Sequence, residues 1–159
     1  MLLTACGNDD DELEVRDEFQ FNDTSYALSK GFLQDYGANQ NPSFDWDVTL
    51  TSEDILYSET SASFNGSGDV IYLDLNTSSA DGLVDGVYNF ASERNSFTLV
   101  QGIIGLSYDL GNATGEDFTV IGGRVEITTD GIEKLIEFDL TASNGQPVTG
   151  QWKGNLRRI

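Results

Sequence analysis

Two aspartates flank a tryptophan in the segment Phe44-Asp45-Trp46-Asp47-Val48. Alternation along an extended strand would place Asp45 and Asp47 on one side and Trp46 on the other. Two carboxylates a few ångströms apart can serve as a glycosidase pair, and carboxylates are also calcium ligands. A solvated pair on the outer face of a core strand is the more ordinary interpretation, and it is the one we adopt.

A second acidic motif, Asp81-Gly82-Leu83-Val84-Asp85-Gly86, contains two Asp-Gly steps. Carboxylates and carbonyls in loops are the ligands that hard cations prefer, so Asp81 and Asp85 are candidate calcium ligands. The motif lacks the spacing and the closing glutamate of an EF-hand, and two turns before a strand explain it equally well. Calcium is the one cofactor that the sequence suggests.

The aromatic residue most suggestive of ligand binding is Tyr36, in the segment Gln34-Asp35-Tyr36-Gly37-Ala38. The amide side chains of Asn39 and Asn41 follow it in a polar loop, so Tyr36, Asn39 and Asn41 form a candidate ligand-binding set. An aromatic ring of this kind could stack on the apolar side of a sugar. Most other aromatic residues are expected to pack within the core, since aromatics favour strands.

Composition excludes several classes of function. The chain has no histidine, which removes Ser–His and Cys–His catalysis and histidine-ligated zinc, and its single cysteine, Cys6, cannot form an internal disulfide. There are 27 acidic and 8 basic residues, a net charge of −19, so nucleic-acid phosphates would repel the chain. Neither phosphate-binding glycine motif, GxxxxGK[ST] or GxGxxG, occurs.

The start of the chain contains Leu3-Thr4-Ala5-Cys6, followed by an acidic run. This four-residue segment resembles a bacterial lipobox, whose cysteine is acylated and becomes the mature amino terminus. The run that follows resembles the acidic signal that exports lipoproteins of Bacteroidota to the outer face of the outer membrane; its acidic residues are Asp9, Asp10, Asp11 and Glu12. The resemblance implies a signal-peptide remnant over 1–5, a lipid-anchored acidic tether over 6–18 and a cell-surface location.

From Phe19 onward, apolar and polar residues alternate between Gly, Asn, Asp and Ser breaks, as in half-buried strands. We expect one all-β domain over 19–159, either an antiparallel β-sandwich or a barrel-like (calycin-like) domain. The predicted strands cover 18–22, 24–30, 31–36, 44–51, 69–76, 86–91, 96–101, 104–110, 117–128, 132–142 and 147–157.

A three-stranded C-terminal meander is predicted over 120–156. A two-residue turn at Asp130-Gly131 would pair Val125 with Ile136 and Gly123 with Phe138. An odd-length loop around Asn144-Gly145-Gln146 would then place Phe138 opposite Trp152 on the same face. On the outer face, the same register would place Glu137 opposite Lys153.

The segments Asp85–Phe90, Gly122–Ile127, Ile136–Leu140 and Val148–Gly154 are similar to a pattern of glycines and strand aromatics in small β-rich lipoproteins of Bacteroidota. The pattern consists of structural residues, so it implies a fold and a location and transfers no catalytic residue.

These features predict an outer-membrane lipoprotein that acts as a non-catalytic binding or accessory module. Its partners would be membrane lipid through Cys6, and either a glycan or another outer-membrane protein; calcium would have a structural role. Two alternatives stay open: a carboxylate-based hydrolase acting on a glycan, and a structural subunit of an outer-membrane complex.

Overall fold

The computed structural model describes residues 16–159, and within that range the chain forms strands and turns without a helix. No helix long and apolar enough to cross a membrane occurs among these residues. The strands are β1 (Glu18–Phe21), β2 (Thr24–Ala27), β3 (Lys30–Ala38), β4 (Phe44–Thr51), β5 (Leu56–Ser58), β6 (Ser63–Asn65), β7 (Ser67–Thr77), β8 (Gly86–Phe90), β9 (Thr98–Asp109), β10 (Thr114–Asp130), β11 (Glu133–Ala142), β12 (Pro147–Gly154) and β13 (Arg157–Arg158).

Eleven strands form one sheet in the order β13-β3-β4-β7-β9-β8-β10-β11-β12-β1-β2, and β9 also pairs with β10. The sheet curls into a half-barrel, so that Gly31 of β3 lies against the Trp152 ring of β12 although the two strands are distant in this order. The predicted all-β, barrel-like class is confirmed. The sheet is mixed rather than purely antiparallel, because β8 and β9, and β13 and β3, run parallel.

The core lies on the inner side of the half-barrel, where the long strands contribute most of the buried apolar side chains. The fully buried large side chains include Trp46, Leu50, Ile71, Leu73, Leu75, Tyr88, Leu99, Ile104, Ile127, Phe19 and Phe21. The hairpin of β5 and β6 packs on the opposite side of the sheet, where the Phe64 ring meets Phe32 of β3 edge-on at 5.0 Å between centroids. That opposite, outer side of the sheet carries polar side chains on β4 and β7.

The C-terminal meander is present, but its predicted register is wrong by two residues. The first turn is centred on Gly131 and Ile132, because Gly131 supplies the positive φ that the turn requires, and Val125 therefore pairs with Phe138. The shift leaves Val125, Ile136, Phe138 and Leu140 on the buried face. Ile121, which was predicted to share that face opposite Leu140, is instead 53% exposed, because a β-bulge between Val120 and Gly122 buries Val120 in its place.

The second loop has the predicted odd length, but Phe138 pairs with Gly150, and Trp152 pairs with Ile136. Phe138 and Trp152 share the buried face, as predicted. On the outer face, Glu137 lies opposite Gln151, while the Lys153 ammonium lies 2.6 Å from the Asp130 carboxylate.

Candidate functional site

The outer side of β4 and β7 holds three converging carboxylates. Asp45 and Asp47 occupy alternate positions of β4, and Asp74 lies directly opposite Asp47 on β7. One oxygen from each carboxylate lies within 4.8 Å of the other two. We call Asp45, Asp47 and Asp74 the carboxylate cluster.

The predicted shared face of Asp45 and Asp47 is confirmed, but the interpretation as a solvated surface pair is wrong. Asp47 is only 7% exposed and Asp74 only 3% exposed. An ordinary outward strand face is open to solvent, whereas this one is covered. Burial of three like charges in one place requires a compensating group.

The compensating group is Arg94, which reaches the carboxylate cluster from the loop between β8 and β9 (residues 91–97, the Arg94 loop). Its guanidinium donates to both oxygens of Asp74, at 2.9 and 2.6 Å, and to Asp45 Oδ2 at 2.6 Å. Such a fork-shaped contact is the geometry in which arginine binds a carboxylate most strongly. One guanidinium thus serves two of the three acids.

The Arg94 loop is fastened to the loop between β3 and β4. Ser43 Oγ donates to the Arg94 carbonyl at 2.7 Å, and Ser96 Oγ donates to the Pro42 carbonyl at 3.2 Å. Phe97 ends the loop in a left-handed conformation, with φ of 64°. A bulky residue is strained there, so the surrounding contacts must hold it in place.

The third acid, Asp47, has a different partner. The Tyr72 hydroxyl on β7 donates to Asp47 Oδ2 at 2.5 Å. Burial raises the pKa of Tyr72, and its bond to the Asp47 carboxylate raises it further, so this hydroxyl stays protonated and acts as a donor. Among residues 16–159, no cationic side chain contacts Asp47 as Arg94 contacts Asp74.

The electrostatics follow from this shortage of positive charge. Burial raises the pKa of Asp47 to about 7, and the Asp74 and Asp45 charges add to the effect, while the Tyr72 hydrogen bond and Arg94 oppose it. Burial and then the charge of Asp74 hold the pKa of Asp45 well above its usual range. The carboxylate cluster therefore retains protons at a pH where an exposed aspartate is fully ionised.

The spacing of these oxygens would also suit a hard divalent cation. Arg94, however, already contacts both oxygens of Asp74 and one of Asp45, so a metal ion would have to displace it. Asp45 Oδ1 is buried and accepts no hydrogen bond. The Arg94 guanidinium therefore already occupies the place where a metal ion would bind.

The predicted ligand-binding residues lie beside the carboxylate cluster. Tyr36 occupies a bulge of β3 and is 58% exposed. Partial burial and then the charges of Asp47, Asp45 and Asp74 raise its pKa, so its phenol lies within electrostatic range of all three. The structure thus brings Tyr36 together with the aspartates that the sequence analysis considered separately.

Asn39 and Asn41 are tied into the same region. Asn39 Nδ2 donates to Asn76 Oδ1 at 2.7 Å, and Asn76 lies opposite Asp45 in the sheet. Asn41 Nδ2 donates to Asn95 Oδ1 of the Arg94 loop at 3.4 Å. Both amides therefore position the loops around the site.

Asp81 and Asp85 do not belong to this site. The Asp85 carboxylate accepts from the Thr129 backbone N–H at 3.0 Å and from Lys134 Nζ at 3.3 Å, and the Asp81 carbonyl accepts from the Arg158 guanidinium. Among residues 16–159, the carboxylates close enough to share a cation are those of the carboxylate cluster. Calcium at Asp81 and Asp85 stays a prediction.

Sequence reasoning missed Asp74, Tyr72 and Arg94. Asp74 is the polar residue in an otherwise apolar run, Val70-Ile71-Tyr72-Leu73-Asp74-Leu75, and that exception was the available signal. The anchor and export residues Cys6, Asp9, Asp10, Asp11 and Glu12 lie outside the described residues. No family model matches the chain, and neither the curated proteins nor the solved structures contain a significant match.

Proposed function

We propose that this protein is a lipid-anchored, surface-exposed binding module that recognises a glycan at the carboxylate cluster and Tyr36. The observation that carries the proposal is the position of Tyr36: a largely exposed ring in the bulge of β3 beside Gly37, which pairs with Asp45 of the carboxylate cluster. Binding sites combine apolar contact area with a few fixed polar groups that set orientation. The ring would supply the first, and the Arg94 guanidinium, which is 39% exposed and held by the carboxylate cluster, would supply the second.

The polar groups of the site also support recognition of a ligand by hydrogen bonding. The site exposes part of the Arg94 guanidinium and the Tyr36 ring with its hydroxyl, while the buried carboxylates hold Arg94 in place, and sugar hydroxyls can both donate and accept. The net charge of −19 disfavours an anionic ligand. A neutral or amino-substituted sugar is therefore the expected class.

A glycan array with the purified Cys6→Ser chain tests this function. Tyr36→Ala should remove binding because it deletes the ring, whereas the matched control Tyr36→Phe should retain most of it if the ring stacks on the sugar. Equal binding by the parent chain and Tyr36→Ala would exclude Tyr36 from the site. Absence of any bound glycan would refute the proposed function.

A hydrolase is the second candidate, and one observation favours it. A carboxyl whose pKa is about 7 could act as a general acid near neutral pH, and Asp47 has such a pKa beside a second carboxylate. The assay is release of reducing ends from bound glycans, compared between the parent chain and Asp47→Asn. Activity of the parent chain that Asp47→Asn abolishes would establish a hydrolase. If neither the parent chain nor Asp47→Asn releases reducing ends, the hydrolase is refuted and the binding module stays the proposed function.

Anchoring through Cys6 is proposed from the lipobox resemblance alone. Several acyl chains on one cysteine would make attachment effectively permanent. Mass spectrometry of the membrane fraction should find acylated Cys6 at the mature amino terminus, and Cys6→Ser should move the protein out of that fraction. An unmodified cysteine within a full-length precursor would refute the anchor.

A further inference from the structure

A second polar site lies on the outer side of β10, β11, β12 and β1, which are not the strands that carry the carboxylate cluster. It is a groove with a volume of about 550 Å³, which we call the meander groove. The strand register places its side chains in two lines across the four strands. One line is Arg124, Asp139, Thr149 and Gln20, and the other is Glu126, Glu137, Gln151 and Glu18.

Most charged side chains of the meander groove have no partner among the described residues; Glu18, which accepts from Gln20 Nε2 at 3.3 Å, is an exception. Within residues 16–159, no hydrogen bond or ion pair engages the side chains of Arg124, Glu126, Glu137 and Asp139. Elsewhere in this range, five of the basic residues form ion pairs and a sixth, Arg158, lies over the Trp46 ring. The two basic residues of this range that have no such contact, Arg16 and Arg124, both line the groove.

One pair of charges in the meander groove is unfavourable for the stability of the sheet. Glu126 lies directly opposite Glu137, and the next residues along that line are Val87 on one side and Gln151 on the other. Like charges at directly paired positions destabilise a sheet, whereas opposite charges would stabilise it. Arg124 and Asp139 occupy directly opposite positions, so stability can account for that pair but not for Glu126 opposite Glu137.

The chemistry of the lining defines the ligand. Guanidinium and amide groups offer donors, and carboxylates beside them offer acceptors, which suits a molecule whose groups both donate and accept. A polyanion would meet four carboxylates, Glu18, Glu126, Glu137 and Asp139, on a chain of charge −19. A lysine-rich peptide would place cations against Arg16 and Arg124.

We propose that the meander groove binds a neutral oligosaccharide that lies across the strands, as a second glycan site besides the one at Tyr36. This inference rests on the proposed function, glycan recognition, and adds a ligand class and a location to it. Two sites on one module would bind a surface polysaccharide with greater avidity than either site alone.

The experiment is an amide-resolved NMR titration of the Cys6→Ser chain with a panel of neutral hexasaccharides from α- and β-glucans, xylan and mannan. At least one of these should shift the amide resonances of Arg124, Glu126, Glu137 and Gln151. The double variant Arg124→Gln/Glu137→Gln should weaken binding to these residues at least about tenfold, since hydrogen bonds to charged groups are lost. Its net charge equals that of the parent chain, so a loss would not reflect general electrostatics.

Glu116→Gln is the matched control, because Glu116 is an exposed residue of β10 outside the groove. Thermal unfolding of the double variant separates loss of binding from loss of fold. Its Tm should stay close to the parent value, because removal of the Glu126–Glu137 repulsion offsets the loss of Arg124 opposite Asp139.

Each outcome of the titration is decisive. Shifts in the meander groove that the double variant abolishes would establish the site. Shifts confined to the surroundings of Tyr36 would overturn this inference and leave the proposed function standing, while no shift with any sugar would overturn both. Shifts in the meander groove with pentalysine but with no sugar would replace the glycan with a cationic peptide and overturn the inference.

Discussion

The shared burial of three carboxylates makes a specific prediction about stability and pH, which Asp47→Asn tests. The folded state holds the pKa of Asp47 at about 7, whereas an unfolded chain leaves it near 3.8. The folded state therefore binds this proton more tightly than the unfolded state does. The free energy of unfolding should fall as pH rises from about 4 to about 7 and then level off.

The magnitude follows from the same pKa. A shift of about 3 units at about 1.4 kcal/mol each corresponds to an upper bound of about 4 kcal/mol. Asparagine has the shape of the neutral acid, and its carbonyl can still accept from the Tyr72 hydroxyl. At pH 8, Asp47→Asn should therefore be more stable than the parent chain by up to about 4 kcal/mol, and at pH 4.5 the difference should shrink to about 1 kcal/mol or less.

The assay is urea unfolding at pH 4.5, 6, 7 and 8, followed by the fluorescence of Trp46 and Trp152, both of which are buried. Asp117→Asn is the control, because Asp117 is an exposed aspartate of β10 outside the site. The reasoning is refuted if Asp47→Asn destabilises the protein equally at every pH, or if the parent chain gains stability between pH 5 and pH 8.

Three further substitutions test other parts of the structure. Arg94→Ala should lower the free energy of unfolding by about 2–3 kcal/mol at pH 8 and by less at pH 5; the cost stays below that of a fully buried pair because the guanidinium is 39% exposed. Urea unfolding measures this cost, with Arg94→Lys for comparison. A cost that does not change with pH would contradict the prediction. Trp152→Ala should cost about 3–5 kcal/mol in the same assay, since the ring is buried against Gly31 and Gly154, and a loss below about 1 kcal/mol would show that it is not core. Gly150→Ala should cost about 1–3 kcal/mol or more, because its new Cβ would lie 2.6 Å from the Glu18 carbonyl oxygen, and an unchanged midpoint would show that β1 moves away freely.

The alternation of residue types predicts which side of the sheet a residue occupies better than it predicts that residue's partner. The strand predicted over 44–51 matches β4, and the buried face of the C-terminal meander is correct except at Ile121, which the bulge after Val120 turns to solvent. The predicted pairs are wrong because a turn shifted by one residue changes every partner by two positions. A shift of two preserves the face, so the period-2 pattern does not detect it.

The carboxylate cluster could not be predicted from the pattern of single strands, for a related reason. Asp47 meets Asp74 because β4 pairs with β7, and both acids are buried because a later loop brings Arg94 over them. These contacts join residues far apart in sequence, and a single strand pattern contains no information about which strand lies beside it. Asp45 and Asp47, considered alone, have the pattern of an ordinary solvent-facing strand.

The Arg94 loop therefore decides what the site can do. With the guanidinium in place, two of the three acids are engaged and the third retains its proton up to about pH 7. If the loop moved away, the same carboxylates would become a solvated acidic surface whose acids ionise normally. Ligand binding at Tyr36 and the protonation of Asp47 should also be linked, because the charge of Asp47 acts on the Tyr36 phenol. A ligand that binds more tightly at pH 6 than at pH 8 in the parent chain, but equally at both in Asp47→Asn, would demonstrate that linkage.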